Sequence, residues 1–226
     1  MIEREIYRQR FSEEETRRSR ALWVPICRYL ERWIPEGAAV LDIGAGPCHF
    51  INQVRAASRI AVDINGESLE RHAAAGVRKV VASGAGLGAI EDTSIDVAFA
   101  SNVYEHFPSR EDVARSLREV HRVLRPGGGF LILQPNFACC ARTYYDFFDH
   151  RLAFTHKGMA EGLEISGFEM ERVVARFLPY TTKGRLPQAP WLVALYLRMP
   201  PLWRLLGAQM LLVARKPLAL RDDLDL

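Results

Sequence analysis

The sequence predicts a doubly wound α/β fold: a mostly parallel sheet with helices on both faces. Three observations predict it. Apolar runs rich in Val, Ile and Ala recur at 38–43, 58–64, 77–82, 94–101 and 128–134, each closed by turn residues. Helix-like stretches stand between them, so the chain reads as βαβ units whose strands are covered on both sides. The 226 residues, 49% apolar and 25% charged, fit one soluble domain with a sizeable core.

Residues 1–37 read as an N-terminal helical segment. Ser12 and Glu15 have capping-box spacing, Leu22, Ile26, Tyr29, Leu30 and Trp33 recur at helical intervals, and Pro25 is expected to kink or restart the helix. Residues 38–220 read as the main domain. "AAVLDI" is a strand and "FINQVRAA" a helix; "SRIAVDI" is a strand and "ESLERHAAAG" a helix closed by Gly76. "VRKVVA" and "SIDVAFAS" are strands, "REDVARSLREVHRVL" is a long amphipathic helix, and "GGFLILQ" is the next strand. An aromatic-rich connection, "PNFACCARTYYDFFDHRLAFT", leads to a helix at 156–168 and a strand at 169–177. An insertion at about 181–207 holds two short apolar helices split by Pro200–Pro201. A last strand follows at 208–217, and 221–226 is a loose tail.

The bulk chemistry excludes several functions. A net charge of +3 with scattered basic residues gives no nucleic-acid footprint. The four cysteines form no CxxC pair and no histidine cluster has zinc spacing, so no metal is expected. The charged start does not read as a signal peptide, and no window reaches the length of a membrane span; a cytoplasmic location is the default.

The stretch "AVLDIGAGPCHFINQ" (39–53) carries the ligand argument. A dinucleotide fingerprint needs a third glycine for close packing beneath a pyrophosphate, and here position 49 is His. No G-K-[ST] follows, so a phosphate loop fails too. What remains is Asp42-x-Gly44-x-Gly46 at a strand end, with Asp63 ending the next strand, 17 residues beyond Gly46. An acid there accepts hydrogen bonds from ribose hydroxyls. The ligand should carry an adenosine, no pyrophosphate, and positive charge near Asp42; S-adenosylmethionine meets that description.

Here the chain resembles the class I S-adenosylmethionine-dependent methyltransferases (type 11-like), over roughly 38–178 and the last strand. "VLDIGAG" is similar to their glycine motif, "AVDIN" to their ribose-binding acid, "SIDVAFASNVYEHF" to their fourth strand and active-site edge, and "LREVHRVLRPGGGFLIL" to the helix, turn and strand that follow. The resemblance implies a Rossmann-like sheet with an antiparallel last strand. It implies S-adenosylmethionine as cofactor, S-adenosylhomocysteine as product, and cofactor contacts from Asp42, Gly44, Ala45, Gly46, Asp63, Ile64, Ser83, Gly84, Ser101 and Asn102. "SNVYEHF", "LQPNF", "YYDFFDH" and "FLPYTT" resemble a bacterial branch associated with sugar or polysaccharide pathways. Two positions depart from the pattern. Cys48 stands where a further glycine is common and reads as packing. No carboxylate stands at Ser83–Gly84 to receive the adenine amino group, a loss of about 1 kcal/mol.

Methyl transfer is an in-line displacement, and a hydroxyl acceptor needs a base near neutral pKa. His106 and His150 both fall after strands, at the edge where such folds bind ligands, and each is open to a bracing role or to the role of base. Asn136, Tyr144, Tyr145 and Asp149 are the expected acceptor-side residues. The expected activity is O-methylation of a sugar-like or lipid-linked small molecule; the alternative is a non-catalytic cofactor-binding or scaffolding module. Residues 190–207, with Trp191, Tyr196, Trp203, Arg198 and Arg204, are open to three readings: a pocket lid, a homodimer contact, or a peripheral membrane contact.

Overall fold

The computed structural model describes residues 13–180 and 189–218. Ser12 of the expected capping box, residues 181–188 of the insertion and the tail lie outside them. Seven strands form one sheet: β1 (Ala39–Ile43), β2 (Ser58–Asp63), β3 (Val77–Val81), β4 (Ile95–Ser101), β5 (Leu124–Pro135), β6 (Glu169–Val174) and β7 (Gln209–Arg215). Their order is β3-β2-β1-β4-β5-β7-β6. β1 pairs in parallel with both β2 and β4, whereas β7 runs antiparallel to β5 and β6. The chain therefore reverses winding direction between β1 and β4, the switch point at which open α/β sheets bind ligands.

Strand alternation divides the core into two layers. One face carries Val40, Ala61, Phe99 and Leu131 and packs under helix α1 (Glu13–Leu30) through Ile26 and Leu30. The other carries Leu41, Val62, Ala100 and Ile132. It is covered by α3 (Arg110–Val123) and α5 (His156–Ile165), through Val113, Leu117, Met159 and Leu163. Burying an Ile or Leu side chain contributes about 1.5–3 kcal/mol, so α1 is bound into the main core. The helices start where the sequence offers caps. Asn65 receives the Ser68 N–H at α2 (Gly66–His72), Ser109 that of Asp112 at α3, and Thr155 that of Gly158 at α5.

Three local expectations are corrected. α1 runs unbroken through Pro25. "FINQVRAA" forms turns and not a helix; Cys48, two residues before it, takes a positive φ of 57° in the turn that leads into it. α2 stops at His72, four residues before the predicted Gly76 signal. Tight helix α4 (Phe137–Cys140) follows β5 directly, capped by Asn136. In the insertion, α6 (Pro190–Leu197) and α7 (Pro200–Leu206) lie against α1. Trp203 packs on Tyr29 and Phe177 and donates its indole N–H to Tyr196 O at 2.9 Å.

Candidate functional site

The strand ends at the switch point put the glycine loop, Asp63 and the β4 exit at one edge. Gly44 (φ +65°) and Gly46 (φ +51°) adopt left-handed backbone, which glycine tolerates without steric cost. A Cβ on Gly44 would come within 2.3 Å of Val103 Cγ2, so the side chain that crowds this glycine is the valine after β4. Ala45 is buried and its N–H bonds to Val62 O at 3.0 Å, pinning the loop to β2.

Asp63 is buried and oriented from both sides. Its Oδ2 accepts the Gly46 N–H at 2.8 Å and its Oδ1 the Asn65 N–H at 2.8 Å. Each oxygen keeps a second lone pair, so the carboxylate remains able to accept two further hydrogen bonds. Burial raises its pKa, against the lowering effect of these N–H groups. Asp42 is 3% exposed, and burial, reinforced by the Asp63 charge, raises its carboxyl well above the ordinary range. Among the described residues neither acid makes an ion pair. Two buried acids without a cation favour a ligand that brings positive charge. Ile64, beside Asp63, stands 60% exposed, an apolar side chain held out at this edge.

The other expected cofactor positions divide. Ser83 is exposed and its hydroxyl accepts the Ala85 N–H. Gly84 is packed inward: a Cβ there would meet Ile43 at 2.8 Å. Asn102 is exposed with φ +50°, an uncommon conformation for a side-chain-bearing residue, and its amide donates to Ser101 Oγ at 3.1 Å. Cys48 is fully buried, and burial together with Asp42 and Asp63 pushes its thiol up to about 12, which supports packing over reactivity.

Most of the expected acceptor-side and catalytic residues lie on a single turn and the loop opposite it. The Tyr104–His106 turn follows β4, and the Glu105 carbonyl accepts the N–H groups of Arg151 (2.8 Å) and Leu152 (3.1 Å). This pins the 144–152 loop against the turn and brings His106 and His150 together, ring centroids 5.2 Å apart. His106 Nδ1 lies 3.0 Å from Asp149 O and 3.4 Å from Asp149 Oδ2. His150 stacks on Phe147 and packs beside Tyr144. Tyr145 is 60% exposed at this edge.

Two expected acceptor residues prove to be internal. Tyr144 is fully buried and its hydroxyl donates to Leu152 O, so it forms the core of the loop. Asn136 is equally buried: its amide donates to Ala175 O and faces His156 Nδ1, while its Oδ1 accepts the N–H of His156 and of Ala138. Every polar atom is occupied, which leaves none for a substrate. Both corrections follow from burial, which residue type alone does not reveal. The structure also brings forward residues not assigned from the sequence. Glu105 is 1% exposed, and its Oε2 has no hydrogen-bond partner; burial raises its pKa, partly offset by His106. Gln134 is buried with both amide atoms unpartnered, a polar residue legible as an exception in the apolar run "FLILQP". His49 is buried beside Trp23, its Nε2 unpartnered, and burial, with His72 and Arg20, lowers it to about 4.

Residues 41–132 match the methyltransferase-domain family of type 11. An uncharacterized methyltransferase of Mycobacterium sp. (strain JLS) is 41% identical over 98 residues, 42% of this chain and 37% of the relative. One from Mycobacterium ulcerans (strain Agy99) is 35% identical over 98 residues, again 37% of its length. The chain thus matches little more than a third of these curated relatives. An S-adenosylmethionine-dependent methyltransferase from Mesorhizobium loti superimposes with a TM-score of 0.62 at 21% identity, covering 86% of this chain and 97% of its own. One from Archaeoglobus fulgidus does so with a TM-score of 0.66 at 18% identity, covering 90% and 97%. Residues 41–132 thus match a methyltransferase-domain family, and the described chain has the fold of class I S-adenosylmethionine-dependent methyltransferases.

Proposed function

We propose that the protein binds S-adenosylmethionine at the β1–β4 switch point and transfers its methyl group to a hydroxyl of a small, sugar-like or lipid-linked acceptor. The observation that carries the cofactor reading is Asp63: a buried carboxylate, aimed by two backbone N–H groups and free to accept the two ribose hydroxyls. Asp42 supplies a negative charge for the ammonium or sulfonium. Ile64, Ala45 and the Ser83–Gly84 backbone border the adenine, and Ser101 and Asn102 face the methyl end. The acceptor lies against the 144–152 loop, between Tyr145 and Asp149. The His106–His150 pair takes the hydroxyl proton, and His150 is assigned as base because it belongs to the acceptor loop. Orientation of the acceptor opposite sulfur supplies much of the rate. The outer face of α6 and α7, with Trp191, Leu195 and Leu205 exposed, is open to a second copy of the chain or to a lipid surface. Among the described residues no helix is long and apolar enough to cross a membrane.

Calorimetry with S-adenosylmethionine and S-adenosylhomocysteine tests the cofactor half; absence of binding to both at millimolar ligand refutes it. An acceptor screen by mass spectrometry with a labelled methyl donor tests transfer, read as the mass gain of one methylene. The lack of a carboxylate at Ser83–Gly84 favours a second reading, a module that binds the cofactor without turning it over. Tight binding with no transfer to any acceptor selects that reading.

A further inference from the structure

The turn and loop at the acceptor edge bring one carboxylate and two imidazoles into a single cluster. One ligand-capable atom from each of Glu105, His106 and His150 lies within 4.8 Å of the other two. The three residues come from two segments that the Glu105 carbonyl ties together through the Arg151 and Leu152 N–H groups, so the cluster is part of the folded framework.

We propose that Glu105, His106 and His150 form a binding site for a first-row divalent transition-metal ion, with Zn²⁺ as the reference species. Three features support the site. Glu105 is 1% exposed and its Oε2 has no hydrogen-bond partner, an arrangement that is costly for a carboxylate unless a cation joins it. His106 places Nδ1 at 3.0 Å from Asp149 O. An Nδ1–H donated there fixes the tautomer and keeps a lone pair on Nε2 for a metal, as outer partners of metal-bound histidines do. His150 is held between Phe147 and Tyr144, which restrict its ring. The two-nitrogen, one-oxygen donor set suits Zn²⁺, Mn²⁺, Fe²⁺ or Co²⁺ better than Mg²⁺ or Ca²⁺, which take oxygen ligands. Metal–ligand bonds of about 2.0–2.2 Å put tetrahedral ligands about 3.5 Å apart, so the widest gap closes by about 1 Å on binding.

Three protein ligands leave a coordination position open, the pattern of catalytic and not of structural sites. On the reading of the previous subsection, that position takes the acceptor oxygen. With the cation bound, the two histidines hold it and the proton-accepting role assigned to them above passes to water: the cation-bound hydroxyl loses its proton to water, and the oxygen forms the new O–CH₃ bond as the sulfonium C–S bond breaks, sulfur keeping the electron pair. Metal binding itself does not depend on that reading.

The test uses the tag-free full chain, stripped with chelator and titrated with Co²⁺ followed by its visible absorption, and with Zn²⁺ by calorimetry. One equivalent is expected to bind, with a Co²⁺ spectrum distinct from that of the aqueous ion. Affinity should fall at least tenfold in Glu105→Gln, and His150→Ala should lose the spectrum. His72→Gln, away from the cluster, should bind as the parent does. Should Glu105→Gln fail to fold by circular dichroism, the half-buried His150 decides through its own variant. No saturable binding below millimolar metal, or equal binding by His150→Ala, overturns the proposal. S-adenosylhomocysteine calorimetry on the same preparation separates the two ideas. Cofactor binding without metal binding removes only the metal site, and metal binding without cofactor binding removes only the methyl-transfer reading.

Discussion

Replacing Asp63 by Asn keeps the size of the side chain and changes what it can accept. In the folded protein the carboxylate takes one N–H from Gly46 and one from Asn65, and one lone pair remains on each oxygen. A ribose hydroxyl bond to a charged acceptor is worth about 1.5–3 kcal/mol, and Asn keeps one accepting oxygen while losing the other, so the cofactor weakens by about 10–10²-fold. The amide also sets an NH₂ group against one of the two N–H donors, at a cost of about 1–3 kcal/mol to the loop. Against that, a neutral amide is easier to bury than a carboxylate whose pKa burial has raised. The sign of the pH effect follows. The folded pKa of Asp63 lies above its unfolded value, so ionising it costs stability as pH rises through the folded pKa, and that cost disappears as pH falls. The Asn variant should lack this slope and differ from the parent by no more than about 2 kcal/mol at neutral pH. Calorimetry with S-adenosylhomocysteine reads the affinity, and urea unfolding reads the fold. A folded variant with affinity within about threefold of the parent would refute the assignment of the ribose site.

His49 sets an opposite pH dependence. Its folded pKa of about 4 lies below the ordinary 6.5, so stability is intact above that value and falls as pH drops from 6.5 toward 4. Relative to His49→Asn, the parent should lose about 2 kcal/mol between neutral pH and about pH 5 in urea unfolding; parallel curves for the two proteins would contradict the burial argument. Gly44→Ala meets both the positive φ and Val103, and should destabilise by about 2–4 kcal/mol. Adding Val103→Ala should recover the steric part only, and a double variant no better than the single would locate the strain elsewhere. Asn136→Ala leaves Ala175 O and the His156 N–H without their partner and should cost about 2–4 kcal/mol, read as a lowered urea midpoint; a neutral result would mean that water replaces the amide. His150→Gln should lower the methyl-transfer rate by about 10²–10⁴ with cofactor affinity unchanged, whereas an unaltered rate would remove the imidazole from the mechanism.

The order of strands and helices was legible in the sequence because the central strands β1, β2, β4, β5 and β7 are apolar runs largely buried on both faces, and the strands carry their own turn signals. The glycine loop was legible too: Gly44 and Gly46 in a strand-to-turn setting, with Asp63 one strand later, depend on local backbone and on chain order alone. Elements decided by conformation were less so. Pro25 lies inside α1 because packing of Ile26 and Leu30 on the sheet outweighs the missing hydrogen bond, and "FINQVRAA" forms turns despite its helix-like composition. Side-chain roles in the aromatic connection needed the tertiary structure. Tyr144 and Tyr145 are neighbours of one residue type, yet one is wholly buried and the other 60% exposed. Sequence spacing gave no reason to expect a metal, since ligand spacing in sequence exposes a site only when one local segment supplies the ligands. Glu105 and His106 meet His150 across more than forty residues, through backbone hydrogen bonds from Arg151 and Leu152 that no residue pattern announces. Local signals fix the strands and the phosphate-free loop; burial and long-range contact decide which polar groups are left to act.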